Sequence, residues 1–355
     1  MRIGIIGAGQ MGGYYANNLV TKCGFPAGDV VVHDLINERA STVAQKFGAI
    51  ASDSLPFDID AAIVASSTPS HHEIVAQLAQ HGIKHILCEK PLAQDIEALD
   101  HIVDNVGDAN VYTALVINFS PALAALAEFM EMHEVILLEF FGRWGKNRAV
   151  QTEKRPTAGD IEDEAVHPIG TLLQLVKIQG GPIRRASVNA MAGWLPYANA
   201  QAQQSAHERD RSFPLKPNHS TSANLRLFGE GYTVQAHIYS SFLLGQETRL
   251  IGGVLGRFPG EVVDAFEIAF DQKRPEKAGG AVDVLTIVHS RSNERTVVQE
   301  QGDKLNDLTR AFLTVAGGGA HDPRLATLDE AVTLVKIADA ILQSDQEGLP
   351  QNVWF

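Results

Sequence analysis

Arg2-Ile3-Gly4-Ile5-Ile6-Gly7-Ala8-Gly9-Gln10-Met11-Gly12 opens the chain with a short apolar run that breaks into a GxGxxG turn. The run reads as a buried strand, and the residues from Gly12 to Thr21 read as the helix that follows it. Each glycine has a separate task in such a turn. Gly7 permits the tight reversal, Gly9 lets the backbone approach a pyrophosphate, and Gly12 allows the helix to pack closely on the strand. Ala8, Gln10 and Met11 complete the same turn, and the helix N-terminus behind it offers N–H groups and a positive dipole to an anion.

Working outward, compact apolar runs recur at Val30–His33, Ala61–Ala65, His85–Cys88 and Val111–Val116. Helical patterns lie between them near Asn37–Phe47, His71–His81 and Asp95–Asn105. Strands that are apolar throughout, alternating with helices, indicate a parallel sheet covered on both faces, and so a doubly wound Rossmann domain. Asp34 closes the second strand about 20 residues past Gly12, where a carboxylate accepts hydrogen bonds from ribose hydroxyls. A cap for the following helix is the other reading of Asp34. A carboxylate there repels a 2′-phosphate, so NAD(H) is favoured over NADP(H). Arg39, about one turn into the helix, can soften that preference.

Cys88-Glu89-Lys90-Pro91-Leu92 follows the strand at His85. Ligands of an open α/β sheet bind at the carboxyl ends of its strands, which puts Lys90 at the cofactor crevice. Pro91 fixes its own φ and restricts Lys90 to extended geometry. A lysine there can hydrogen-bond a substrate oxygen or relay its proton. A solvated lysine beside a loop proline is an equal reading from these residues alone.

Beyond Pro121 the rhythm changes. Helical patterns at Ala122–Met130 and His167–Lys177 flank an apolar run, Val135–Phe141, and the polar stretch Arg143–Arg155. Strand-like segments follow at Arg185–Met191, Ala223–Phe228, Tyr232–Phe242, Glu261–Phe270, Val282–His289 and Arg295–Gln299. Val234, Ala236 and Ile238 alternate with polar residues, as in a sheet with one wet face. The expected fold is therefore an α/β Rossmann domain over residues 1–121. An α+β domain with a large, open, mostly antiparallel sheet is expected over 122–355. Tyr197–His219 reads as a long loop, and a helix spans Leu328–Leu342 after a turn at Gly317–Gly319.

The chain has 355 residues, 45% hydrophobic and 20% charged, with a formal net charge of −13. This balance fits a globular protein and argues against nucleic acid or anionic lipid as partner. No apolar stretch approaches the roughly 20 residues of a membrane helix. Cys23 and Cys88 have no CxxC spacing, which fits two reduced thiols of a cytoplasmic protein. The 13 histidines show no metal-ligand spacing, so no metal is expected.

Taken with IGIIGAGQMG, the segments Ser67-Thr68-Pro69, His72-Glu73, Cys88–Ala93 (CEKPLA), Phe119–Ala122 and the closing Leu325–Val353 pattern give the chain a specific resemblance. It resembles the glucose-fructose oxidoreductase/inositol dehydrogenase (Gfo/Idh/MocA) family, over nearly its whole length. The resemblance implies an NAD(P)-dependent dehydrogenase or reductase for a small polar hydroxyl or carbonyl compound, a sugar or cyclitol among them, with the active site between the two domains. It places Ser66, Ser67, Thr68, Pro69, His72, Glu89, Lys90 and Asn118 around the cofactor. It also implies a homo-oligomer, dimer or tetramer.

Gly159, Asp163 and His167 fall at the spacing of the family's glycine–aspartate–histidine motif. Carried over, His167 is the acid/base, Asp163 orients substrate or tunes His167, and Lys90 hydrogen-bonds the same oxygen. The residues themselves leave Asp163 and His167 in a loop entering a helix at Pro168, since proline belongs in a helix's first turn. Gly170 and Asn118 depart from the family pattern. Trp144, Lys146 and Arg148 are weaker candidates for the substrate pocket. An imine or conjugated-system reductase, and a non-catalytic NAD(P)-sensing regulator, are the alternatives.

Overall fold

The structure is a computed structural model that describes residues 1–147, 160–193, 220–241, 243–257, 261–272 and 281–355. It divides into two units, Met1–Phe119 with Asp303–Val335, and Ser120–Gly302 with Lys336–Phe355.

The first unit alternates β1 (Ile3–Ile6), α1 (Gln10–Asn17), β2 (Val30–His33), α2 (Asn37–Phe47), β3 (Ile50–Ser52) and β4 (Ala61–Val64). It continues through α3 (His71–Gln80), β5 (His85–Cys88), α4 (Ile96–Asn105) and β6 (Asn110–Thr113). The second unit holds α5 (Pro121–Met132), β7 (Ile136–Asn147), α6 (Val166–Ile178), β8 (Ile183–Gly193), β9 (Ser220–Gly229) and β10 (Thr233–Ser241). Its sheet goes on with β11 (Leu243–Arg257), β12 (Glu261–Gln272), β13 (Val282–His289) and β14 (Arg295–Glu300). Last come α7 (Lys304–Ala316), β15 (Ala326–Thr327), α8 (Leu328–Glu347) and β16 (Gln351–Trp354).

Strands of the first unit lie in the order β15-β6-β5-β4-β1-β2-β3, parallel from β6 through β3, with β15 antiparallel at the edge. The chain order therefore reverses between β1 and β4, which defines the switch point of a doubly wound sheet. Both faces are covered. Ile3, Ile5, Val32 and Ile63 pack with Tyr15, Leu19 and Phe312 on one face. Ile6, Val31, Val64 and Ile86 pack with Leu78, Leu99 and Ile102 on the other.

Residues 303–335 belong to this unit, a difference from the sequence boundary at 121/122. Leu308, Phe312 and Val315 of α7 join the core on the Tyr15 face, and Ala326 of β15 pairs with Thr113. The apolar face of α7 thus lies against strands more than 200 residues before it, a pairing no local pattern announces.

Among the described residues the second sheet has nine strands, in the order β14-β13-β12-β11-β7-β10-β9-β8-β16. All its pairings are antiparallel except β7 with β10. β7 extends into the polar stretch after Phe141, because Phe140, Gly142 and Trp144 are buried while Phe141 and Arg143 alternate outward. The glycines of β11 disguise it as a loop in the sequence. A Cβ on Gly252 would stand 2.2 Å from the Phe141 ring, and one on Gly253 2.2 Å from the Glu139 carbonyl. These glycines admit neighbouring groups rather than break the strand.

Candidate active site

At the switch point, Gly7 has φ +101° and its backbone N–H donates to the His33 carbonyl at 2.7 Å. A side chain on Gly7 would collide with Ser66 N at 2.6 Å, and one on Gly12 with the Gly7 carbonyl at 1.9 Å. Gly9 differs, since a Cβ there meets nothing within 4 Å. Gly9 also stands at the N-cap of α1, with no side-chain cap and no acidic residue in the first turn. Open space over the turn and an uncapped helix start are what a pyrophosphate requires. The residues present fit a dinucleotide.

Asp34 is bound into this turn. Its Oδ2 accepts the Ala8 N–H at 2.7 Å and its Oδ1 accepts the Ile36 N–H at 2.9 Å. Ile36 is itself the N-cap position of α2, so Asp34 stands two residues ahead of that cap. A carboxylate has four acceptor sites, which leaves capacity for ribose hydroxyls. Leu35 beside it is 93% exposed, and Arg39 is exposed on α2.

The loops after β4 and β5 meet in the same unit. The Ser70 hydroxyl donates to Ser66 Oγ at 2.9 Å and shapes the turn holding Ser67, Thr68 and Pro69. His71 is buried, with Nδ1 2.9 Å from the Pro91 carbonyl and Nε2 3.2 Å from the Ser66 carbonyl. Burial pushes its imidazole below the usual range, against the pull of those carbonyls. His72, the histidine the sequence points to, packs edge-on against His101 of α4 instead. Asn118 is buried and donates to the Arg324 carbonyl at 3.4 Å.

Lys90 is half-buried, and its peptide bond to Pro91 is cis. The Glu89 carboxylate beside it is buried, accepting the Tyr15 hydroxyl at 2.7 Å and the Lys90 N–H at 3.3 Å. Burial pushes Glu89 up, while the Tyr15 hydroxyl and the Lys90 charge hold it down.

In the second unit, a wide π-turn over Ile161–Ala165 runs directly into α6. Asp163 and His167 are therefore both helical, and the entering loop that Pro168 suggests is absent at these positions. Pro168 stands third in α6. Its missing N–H and ring bulk conflict with the carbonyl four residues back, and the wider preceding turn accommodates them.

Across the sheet, Thr221, Ser240, Trp144 and Arg249 are register partners on neighbouring strands and so share one face. His167 stacks on Trp144 with ring centroids 5.2 Å apart at 25°, and Phe270 flanks the same indole. The Ser240 hydroxyl donates to Asp160, which is fully buried. Burial, with Glu164 and Asp163 close by, pushes the Asp160 carboxyl up to about 8 against the pull of the Ser240 and Thr221 hydroxyls. Glu164 is buried and Asp163 half-buried. Gly159, Arg148, the Lys146 side chain and the loop 197–219 lie outside the described residues. Among the described residues no cluster of His, Cys, Asp and Glu is arranged to hold a metal.

Residues 1–115 match the Gfo/Idh/MocA oxidoreductase family, NAD-binding Rossmann fold. The match covers the first third of the chain, and so the NAD-binding domain alone. The inositol 2-dehydrogenase of Rubrobacter xylanophilus is 30% identical over 159 residues, 42% of this chain and 45% of that protein. The inositol 2-dehydrogenase of Acidothermus cellulolyticus is 32% identical over 208 residues, 54% of this chain and 59% of that one. These alignments span less than two thirds of either relative. Among solved structures, a levoglucosan dehydrogenase in complex with NADH and levoglucosan shares the fold with a TM-score of 0.73 at 18% identity, covering 99% of each chain.

Tyr15 and His71 in the first unit, and Asp160 and Ser240 in the second, are buried polar residues that the sequence does not mark. Tyr15 and His71 carry no motif that separates them from Tyr14 and His72; helix phase alone turns one of each pair inward. Asp160 is one of several carboxylates in an acidic run, and Ser240 comes to light only through strand register.

Proposed function

We propose that this protein is an NAD(H)-dependent dehydrogenase or reductase that acts on a small polar hydroxyl or carbonyl compound, a sugar or cyclitol. The observation that carries the reading is Asp34, held by the Ala8 N–H beside a glycine turn that is open above Gly9. Gly7 to Gly12 would hold the pyrophosphate, Asp34 the adenosine ribose, and Leu35 would offer apolar surface to the adenine. Arg39 lies on the exposed side of that position. Ser66 to Pro69, His71 and Glu89 shape the loops that frame the nicotinamide half, with Asn118 and His72 supporting behind them. When bound, NAD supplies the acceptor or donor of the hydride.

The protein's own part is the proton and the charge on oxygen. Oxidation of an alcohol releases a proton from oxygen as hydride leaves carbon, so a base must stand at that oxygen. His167 would serve there, since histidine is the side chain most often used to exchange protons near neutral pH. Stacking on Trp144 holds its ring plane, and Asp163, four residues earlier, orients it or the substrate. Lys90 would donate a hydrogen bond to a substrate oxygen and steady its developing charge. Trp144 supplies an apolar wall; Lys146 and Arg148 remain candidates for substrate hydroxyls.

Two free thiols, Cys23 and Cys88, support a cytoplasmic location. No helix among the described residues is long and apolar enough to cross a membrane. The outer face of the nine-stranded sheet exposes Met191 and Phe141, which supports assembly as a homo-oligomer. The net charge of −13 weighs against nucleic acid as partner.

A panel of cyclitols, sugars and cyclic imines, followed by NADH absorbance, tests the reading. Wild type should turn over a polyol or its ketone, and Lys90→Ala should lower kcat/KM on the order of 100-fold or more. Asp34→Ala should shift preference from NAD toward NADP by about tenfold. Equal turnover by Lys90→Ala, or an unchanged cofactor ratio, would remove the corresponding assignment. Turnover of cyclic imines alone would select the imine reductase instead.

A further inference from the structure

The loop that carries Lys90 is anchored on both sides, and one anchor reaches the helix behind the glycine turn. Tyr15, in the second turn of α1, is 0% exposed and donates its hydroxyl to Glu89 Oε1 at 2.7 Å. The other oxygen, Oε2, accepts the Lys90 N–H at 3.3 Å. On the far side, His71 Nδ1 sits 2.9 Å from the Pro91 carbonyl, so the peptide groups on either side of the Lys90 Cα–Pro91 segment are both engaged. The Glu89 N–H donates to the Val64 carbonyl at 2.9 Å, which continues the ladder past the end of β5.

Stability does not account for this arrangement. A buried carboxylate is costly, and a neutral residue of similar shape is ordinarily at least as stable. Burial pushes Glu89 and the Cys88 thiol up, and Tyr15 is pushed up by burial and by Glu89. A phenylalanine at 15 would fill the same core without a hydroxyl needing a partner. The tyrosine contributes one added thing, a donor aimed at Glu89.

We propose that the Tyr15–Glu89 hydrogen bond positions Lys90, coupling the helix that begins at the glycine turn to the loop after β5. The proposal rests on the role given to Lys90 above and adds a positioning residue to it. Tyr15 holds the Glu89 carboxylate in one orientation, and the carboxylate in turn holds the Lys90 peptide. Tyr15 itself touches no reacting atom.

Tyr15→Phe and Glu89→Gln test it, singly and together, by two readouts. In the dinucleotide-free protein, reductive ¹³C-methylation places a reporter on Lys90, assigned by its absence in Lys90→Ala. The Lys90 methyl resonance should move in Tyr15→Phe, move in the same direction in Glu89→Gln, and move no further in the double variant. With NAD and myo-inositol as the probe substrate, Tyr15→Phe should lower kcat about tenfold while leaving the NADH dissociation constant within about twofold. A resonance unmoved in Tyr15→Phe, or two shifts that add independently, overturns the coupling. Should Tyr15→Phe fail to fold, Glu89→Gln decides, because an amide has a single accepting oxygen and cannot take both the Tyr15 hydroxyl and the Lys90 N–H as the two carboxylate oxygens do, which breaks the bridge. An unmoved resonance there overturns the proposal. Full activity in Lys90→Ala would instead remove the role of Lys90 itself, which leaves the two failures distinguishable.

Discussion

Asp160 combines complete burial with a carboxyl pushed up to about 8 by that burial and by Glu164 and Asp163. In the unfolded chain the same group titrates near 3.9. Between these values the folded protein keeps a proton that the unfolded chain has released, so stability declines as pH rises through the window and is fully recovered below it. Asp160→Asn removes the difference in proton binding and keeps an oxygen to accept from Ser240. Urea unfolding should find the variant more stable than wild type at pH 8, on the order of 1–3 kcal/mol, with the gap closing toward pH 4. A gap that is constant with pH, or reversed in sign, would show that Asp160 is ionised in the fold. Other residues are legible in the sequence itself. Asp34 and Lys90 stand at strand ends that the glycine turn and CEKP announce. His71 is not, because two adjacent histidines share one motif and only the rotation of α3 decides which is buried.

At the scale of elements, apolar runs locate β1, β2, β4 and β5 because strands buried on both faces leave a dense signal. Glycines hide β11, whose backbone must approach Phe141 and Glu139, and the short edge strands β3, β15 and β16 are too brief for any period to show. The helix α7 has an ordinary amphipathic face, with Leu308, Ala311, Phe312 and Val315 buried. Its destination is the hidden part, since that face completes a core begun at Ile3. Phe312 is 0% exposed there and contacts Tyr112 edge-on. Phe312→Ala should cost about 3–5 kcal/mol. Hydrogen exchange should place the loss in β1, β4 and β6; a loss confined to the strands of the second sheet would contradict the assignment of α7 to the first unit. The π-turn before α6 is a similar case. The acidic run is plain in sequence, yet which carboxylates turn inward depends on a turn widened ahead of Pro168.

For the whole molecule, both sheet classes follow from patterning: parallel where strands are apolar throughout, mostly antiparallel where they alternate. Chain continuity misleads the domain boundary, because the first unit is completed by residues 303–335. Dinucleotide binding depends on a single feature of that unit, the space above the glycine turn. Gly7 and Gly12 cannot test it, since a side chain at either strikes backbone. Gly9 can: its φ of −74° suits any residue, and a side chain there points into open space. Titration calorimetry of NADH into wild type and Gly9→Val is therefore the most direct measurement. NADH should bind wild type, lose about tenfold or more in affinity for Gly9→Val, and leave the unfolding midpoints of the two proteins in agreement. Equal affinity for NADH in both proteins, or no heat from wild type, would contradict binding at this turn.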